Sequence, residues 1–172
     1  MLKIDFELPQ IPRSKMEIIC EVLAAVGLIL TLVLIFSKYA ALPDVIPSHF
    51  GANGMPDSWS NKNSILFFAG IMILVYIVIS LVRFFPKMVN LNVTITKENA
   101  VPVLAVIFAG LSLVKLICVG MFYYIGYGMI TTAQGNANGI GLGIWGIAAA
   151  LLITVFGLQY ACRKAAKKTS RF

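Results

Sequence analysis

The sequence predicts an all-α membrane protein: a four-helix transmembrane bundle with an ordered external loop. Two observations carry the prediction. Apolar residues make up 59% of the 172 residues and charged ones 12%, whereas a soluble domain is usually about half apolar and about a quarter charged. The apolar residues are also gathered into four long blocks rather than spread through a periodic core. A helix needs about 20 mainly apolar residues to cross the hydrocarbon layer. Helices and closed barrels alone satisfy their own backbone there. A barrel would need at least about eight short alternating segments, so four helices remain.

The first span covers residues 18–41. Its apolar run exceeds the roughly 7–15 residues of a signal-peptide core, and no small-x-small cleavage site follows, so it reads as a retained helix. A loop at 42–62 leads to the second span, 65–85. A polar link at 86–99 leads to the third, 100–131, which is longer than a bilayer needs. The fourth span covers 140–162, and a basic tail follows at 163–172. The whole reads as one membrane domain.

Lysine and arginine near helix ends set orientation. Lys3, Arg13 and Lys15 precede the first span. Arg83, Lys87 and Lys97 lie between the second and third. Arg163, Lys164, Lys167, Lys168 and Arg171 follow the fourth. In a four-span chain these all fall on one side, against Lys38 and Lys62 on the other. The basic side is therefore expected in the cytoplasm, with both chain ends. The net charge of +7 follows mostly from this placement. The tail also suits anionic lipid, and no nucleic-acid partner is expected, because no recognition fold surrounds it. Cys20, Cys118 and Cys162 stand alone, without a partner at metal-ligand spacing, so no disulfide is expected.

On the basic side two segments alternate with strand periodicity. Leu2, Ile4, Phe6 and Leu8 interleave with Lys3, Asp5 and Glu7; Leu91, Val93 and Ile95 interleave with Asn92, Thr94 and Thr96. They either pair as a short cytoplasmic β-ribbon or lie as irregular arms on the headgroups. The loop at 42–62 is dense in turn-forming Pro, Gly, Asn and Asp, and Pro43, Pro47 and Pro56 forbid a regular helix. His49, the only histidine, sits there with Phe50 and Trp59. A slack linker would be Gly/Ser-rich without such residues, so a compact cap is predicted.

The stretch L-P-D-x-I-P-x-H-F-x-x-x-G-x-x-D-x-W-x-x-K, as it stands at Leu42–Lys62, resembles the signature of a bacterial membrane-protein family of unknown function. That domain also forms the N-terminal half of the sporulation-delaying-protein immunity proteins of Gram-positive bacteria. FPKMVNLNVTITKENA at Phe85–Ala100 is similar to the Phe-Pro…Asn-x-x-x-x-I-T-x-E-N segment after the second helix in many of these proteins. Together the two matches anchor roughly the first 100 residues. The chain departs from the immunity proteins in length, since those carry more helices in a second half. The resemblance implies a bacterial cell-membrane location and, by extension, toxin resistance.

His49, Asp44 and Asp57 reach the three-ligand count of a catalytic zinc site only if the loop folds back on itself. With no HExxH and no clustered cysteine, no metal and no cofactor are expected. The alternative has His49 bonding backbone, both aspartates capping turns, and Trp59 at the lipid interface. Ser48 beside His49 does not make a nucleophile pair, because sequence neighbours seldom face each other. Lys115 lies within the third span, with Ser112 three residues earlier on its helical face. A charge at the bilayer centre costs about 2.5–3.5 kcal/mol on insertion scales. Lys115 is therefore expected to face protein or water, as a site for an anion, carboxylate or proton or as a buried structural group; the alternative is a side chain that snorkels outward. Glu17 and Glu21 read as cytoplasmic-interface residues too distant to pair with it. Gly141, Gly143 and Gly146 spell GxGxxG without the strand and acidic residue of a dinucleotide site; with Gly139 and Ala150 they suggest close helix packing.

The expected function is non-enzymatic: immunity to, or sensing of, a peptide toxin, antimicrobial or envelope ligand. His49, Asp44, Asp57, Trp59, Lys62, Lys115 and Ser112 are the candidate ligand-binding residues. The expected partners are the lipid bilayer, a peptide or small-molecule ligand on the external side, and a second copy of the chain. The alternative is a small transporter or permease subunit with Lys115 in its pathway. Gly120, Gly126 and Gly128 hint at the broken helix that a transporter uses. A membrane enzyme built on His49 lacks a full catalytic set.

Overall fold

The computed structural model describes residues 9–86 and 93–169. Its helices are α1 (Lys15–Tyr39), α2 (Ser64–Leu81), α3 (Ala100–Ala133) and α4 (Gly143–Thr169), with strands β1 (Val45–Phe50) and β2 (Pro56–Asn61) between α1 and α2. All four helices are long and apolar enough to cross a membrane. The expected all-α bundle with an ordered loop is the fold observed, and the order of that loop is an antiparallel hairpin. Most of the ribbon expected on the basic side, residues 1–8 with 91–92, lies outside the described residues; residues 93–96 form no strand.

Local chemistry sets the element ends. Ser14 caps α1, its Oγ accepting the Glu17 N–H at 3.1 Å, in the Ser-x-x-Glu spacing of a capping box. The Glu17 side chain does not turn back to the cap; it pairs with Arg83 of the chain just after α2. α4 does not stop at residue 162 but carries Arg163, Lys164 and Lys167 as further helical turns.

α3 is the spine. α1, α2, α4 and β1 all pack against it, while α2 and α4 meet each other little. In lipid, helices gain most from close van der Waals fit, which small residues permit. Gly27 of α1 sits against Val119, and Gly110 of α3 sits against Leu158 of α4. The glycines at the head of α4 behave differently from expectation. Gly139 and Gly141 lie before the helix with positive φ, Gly143 abuts Tyr124, and Gly146 faces open space. Their spacing therefore serves mainly a loop, not a helix–helix seam. α3 is continuous through Gly120, Gly126 and Gly128; the latter two make room for Phe68 and Ile140.

Two apolar clusters fill the interior. At the hairpin end Ile35, Leu42, Ile46, Ile65, Met129 and Ile130 pack together. At the basic end Val103, Leu104 and Ile107 pack with Leu158 and Cys162. Between them along α3 come the buried polar residues Ser112 and Lys115. The three cysteines are free.

Candidate functional site

The hairpin roofs one end of the bundle. Ile46 and Pro47 are buried and anchor β1 in the apolar cluster below. Register shifts between Pro47 and His49 and between His49 and Phe50 break the alternation, and such irregularities re-aim side chains. His49 lies opposite Ser58, and its Nδ1 is 2.5 Å from Asp57 Oδ1. This replaces the expected bond from His49 to backbone. Asp44 lies elsewhere, at the hairpin base, 3.2 Å from Lys62 Nζ. Lys62 also donates its backbone N–H to the Asp44 carbonyl. Among the described residues no three histidine, cysteine or acidic side chains converge as a metal site would need.

The α3–α4 link closes onto the hairpin turn. Gly54 has φ +75° and Gly139 φ +152°, conformations that glycine alone adopts without strain. A Cβ on Gly54 would overlap the Gly141 backbone, and one on Gly139 would overlap the Gly54 carbonyl. That approach lets the Ile140 N–H donate to the Gly54 carbonyl at 2.8 Å. The Tyr124 hydroxyl donates to the Ile140 carbonyl at 2.5 Å. The Trp145 indole N–H donates to the Ala52 carbonyl at 2.9 Å.

Beneath this roof lies a cleft of about 590 Å³. Phe68 of α2, Ile125 and Met129 of α3, and Ile144 and Ala148 of α4 make its walls; Ser48, His49, Phe50, Asp57 and Trp145 form its rim. An apolar cavity of this size with a few polar groups at one side is the usual form of a small-ligand site. The cleft exists because α2 and α4 flank α3 without closing on one another.

A second polar site lies deeper. The Lys115 side chain is 1% exposed. Its ammonium donates to Glu21 Oε2 at 2.5 Å and to Ser80 Oγ at 2.9 Å, and sits 4.7 Å from the Tyr76 ring centre. Ser112 donates to Glu21 Oε1 at 2.8 Å. The expectation that Glu21 is too far from Lys115 is therefore wrong, and the reason is helix length. α3 has 34 residues and α1 has 25, and their hairpin-side ends share one apolar cluster that includes Tyr39 and Ala133. Counted from those ends, Glu21 and Lys115 each lie eighteen residues in, about 27 Å. The surplus turns of α3 project at the basic end. Snorkelling is excluded by the same geometry, since the amine is held by groups on α1 and α2. A neighbouring cavity of about 80 Å³ is lined by Arg13, Glu17, Glu21, Ser80, Arg83 and Ser112, with apolar neighbours. Arg83 is 3.1 Å from Glu17, donates to the Ile11 carbonyl at 2.5 Å, and lies over the Phe108 ring.

Six of the seven sequence-derived candidates thus separate into three pairs, and the seventh, Trp59, stands apart. His49 and Asp57 meet at the cleft rim; Asp44 and Lys62 clip the hairpin base; Lys115 and Ser112 belong to the buried cluster. Trp59 is half exposed on β2 and does not line the cleft. Sequence reasoning missed Glu21, Ser80, Trp145, Phe68 and Ala148. A tryptophan just inside a span, beside a glycine-rich link, was the available signal for Trp145.

The four apolar helices are consistent with a multi-pass membrane protein. Residues 26–73 match the model of a family described as a domain of unknown function, DUF1648. The match takes in the hairpin-side part of α1, both strands and the first half of α2. No curated protein and no solved structure matches the chain.

Proposed function

We propose that the protein is a non-enzymatic receptor of a bacterial cell membrane, with both termini cytoplasmic and the hairpin outside. It would bind a membrane-active toxin, antimicrobial or envelope ligand at the hairpin end and so confer immunity or report the ligand. The observation that carries this reading is the roofed cleft: about 590 Å³ of mostly apolar space with a polar rim, held open by the docked α3–α4 link. The orientation rests on charge. Arg13, Lys15, Arg83, Lys97, Arg163 and Lys164 gather at the end opposite the hairpin, as the positive-inside rule requires of a cytoplasmic face. The non-enzymatic reading is supported by Ser48, whose hydroxyl donates to Ser58 rather than to His49, so Ser48 and His49 do not form a nucleophile–base pair. The rival transporter reading would need a route past Lys115, and the Lys115 amine is tied to Glu21 and Ser80.

The test is protection. A susceptible bacterium expressing the chain is challenged with a panel of membrane-active peptides and cationic detergents. The expected result is a raised inhibitory concentration for at least one compound, lost in Ala148→Phe at equal protein level. Unchanged inhibition across the panel, or protection that survives Ala148→Phe, overturns the reading.

A further inference from the structure

We infer that the cleft beneath the hairpin takes a cationic amphiphile: one alkyl chain against Phe68, Ile125 and Met129, and a positive head between the Asp57 carboxylate and the Trp145 indole. This rests on the reading of the cleft as a ligand site and goes further by naming the ligand's chemistry.

Size decides the body of the ligand. A cleft of about 590 Å³ walled by apolar side chains takes a single alkyl chain. The open side between α2 and α4 lets the remainder of the chain continue into lipid. Charge decides the head. Among the described residues, His49 and Asp57 are the only acidic or basic groups lining the cleft, and no lysine or arginine does so. The Asp57 carboxylate is the acidic group of that rim. Asp57 is about half exposed, and its Oδ1 alone is engaged by His49. Its Oδ2 lies over Gly51, where a Cβ would come within 3.1 Å, so the absent side chain keeps that oxygen clear.

The third component is aromatic. Trp145 keeps an exposed ring, yet its indole N–H is pinned to the Ala52 carbonyl, so the ring is oriented without being covered. A fixed indole and a carboxylate lining one cleft is the combination that attracts an ammonium or quaternary ammonium group, through the ring quadrupole and the opposite charge together. Apolar walls, one carboxylate with a free oxygen and one oriented indole therefore select a positively charged head over a neutral or anionic one of equal chain length.

The experiment uses the full chain in zwitterionic-lipid nanodiscs and three probes sharing one brominated dodecyl chain, with trimethylammonium, maltoside or sulfate as head. Bromine quenches tryptophan on contact, and the chain has two tryptophans, so Trp145→Phe identifies the reporting ring. The expected result is saturable quenching by the trimethylammonium probe at a concentration at least tenfold below the other two. That preference should disappear in Asp57→Asn, and all saturable quenching should disappear in Trp145→Phe and in Ala148→Phe. Equal quenching by all three probes, still abolished by Ala148→Phe, overturns the charge preference and leaves the cleft a ligand site. Quenching that is unsaturable for every probe, or indifferent to Ala148→Phe, reports partition into lipid and overturns both readings. Asp57 is on the surface, so Asp57→Asn keeps the test decisive even if the filled-cleft variant folds poorly.

Discussion

The Lys115–Glu21 pair predicts an asymmetric mutant cycle. Lys115 is 1% exposed and Glu21 31%, so the two partners have different fates when left alone. In Glu21→Gln the ammonium loses its counter-charge while buried among Ser80, Tyr76 and apolar side chains. Breaking a buried pair in this way costs about 3–5 kcal/mol. In Lys115→Met the stem's bulk is kept, Ser112 still donates to Glu21, and the carboxylate faces the adjoining cavity. A cavity of about 80 Å³ has room for water to solvate that carboxylate. The loss should therefore be smaller, about 1–3 kcal/mol, the range for a polar group left short of a partner. Carrying both changes removes both charges, and replacing a buried pair by neutral groups is often nearly neutral. The double variant should return to within about 1 kcal/mol of the parent. The assay is reversible unfolding in dodecyl maltoside micelles titrated with dodecyl sulfate, followed by far-ultraviolet circular dichroism. Additivity of the two single changes to within about 0.5 kcal/mol would refute the pairing, and a larger loss in Lys115→Met than in Glu21→Gln would refute the exposure argument.

Two further outcomes follow from the hairpin end and the charge pattern. Gly54→Ala forces a side chain into positive φ and against the Gly141 backbone. It should lower stability by about 1–3 kcal/mol and speed amide exchange at Ile140, whereas Gly146→Ala, with nothing nearby, should stabilise α4 by up to about 1 kcal/mol. Single cysteines at Asn53 and Asn136 should react with an impermeant thiol reagent added to intact cells, and cysteines at Lys97 and Arg163 only after the membrane is opened; labelling of Lys97→Cys in intact cells would reverse the orientation.

The parts of this fold that were legible are those written in long-range composition. Four apolar blocks gave four helices, and the density of proline, glycine and asparagine at 42–62 marked an ordered segment. The hairpin itself was hidden for a physical reason. β1 contains Pro47 and two register irregularities, and β2 reads Pro-Asp-Ser-Trp-Ser-Asn, mostly polar and exposed. Neither shows the alternation by which a strand is recognised. Lys115 faces protein as its burial cost implied, but its partner was missed because Glu21 was placed at the cytoplasmic interface, whereas the unequal lengths of α1 and α3 bring the two level. The cleft was illegible, because its walls come from three helices and its rim from a strand pair, a loop and the first turn of α4.

The bond between Gly54 and Ile140 joins segments far apart in the chain, and this has a consequence for biogenesis. α1, the hairpin and α2 can enter the bilayer while α4 is still being synthesised. Until α4 arrives, the Gly54 carbonyl lacks Ile140 and Ala52 lacks Trp145, so the roof has no far wall to rest on. α4, made after the other three described helices, is therefore the one that completes the cleft, and a chain that stops before it would leave the flank of α3 uncovered.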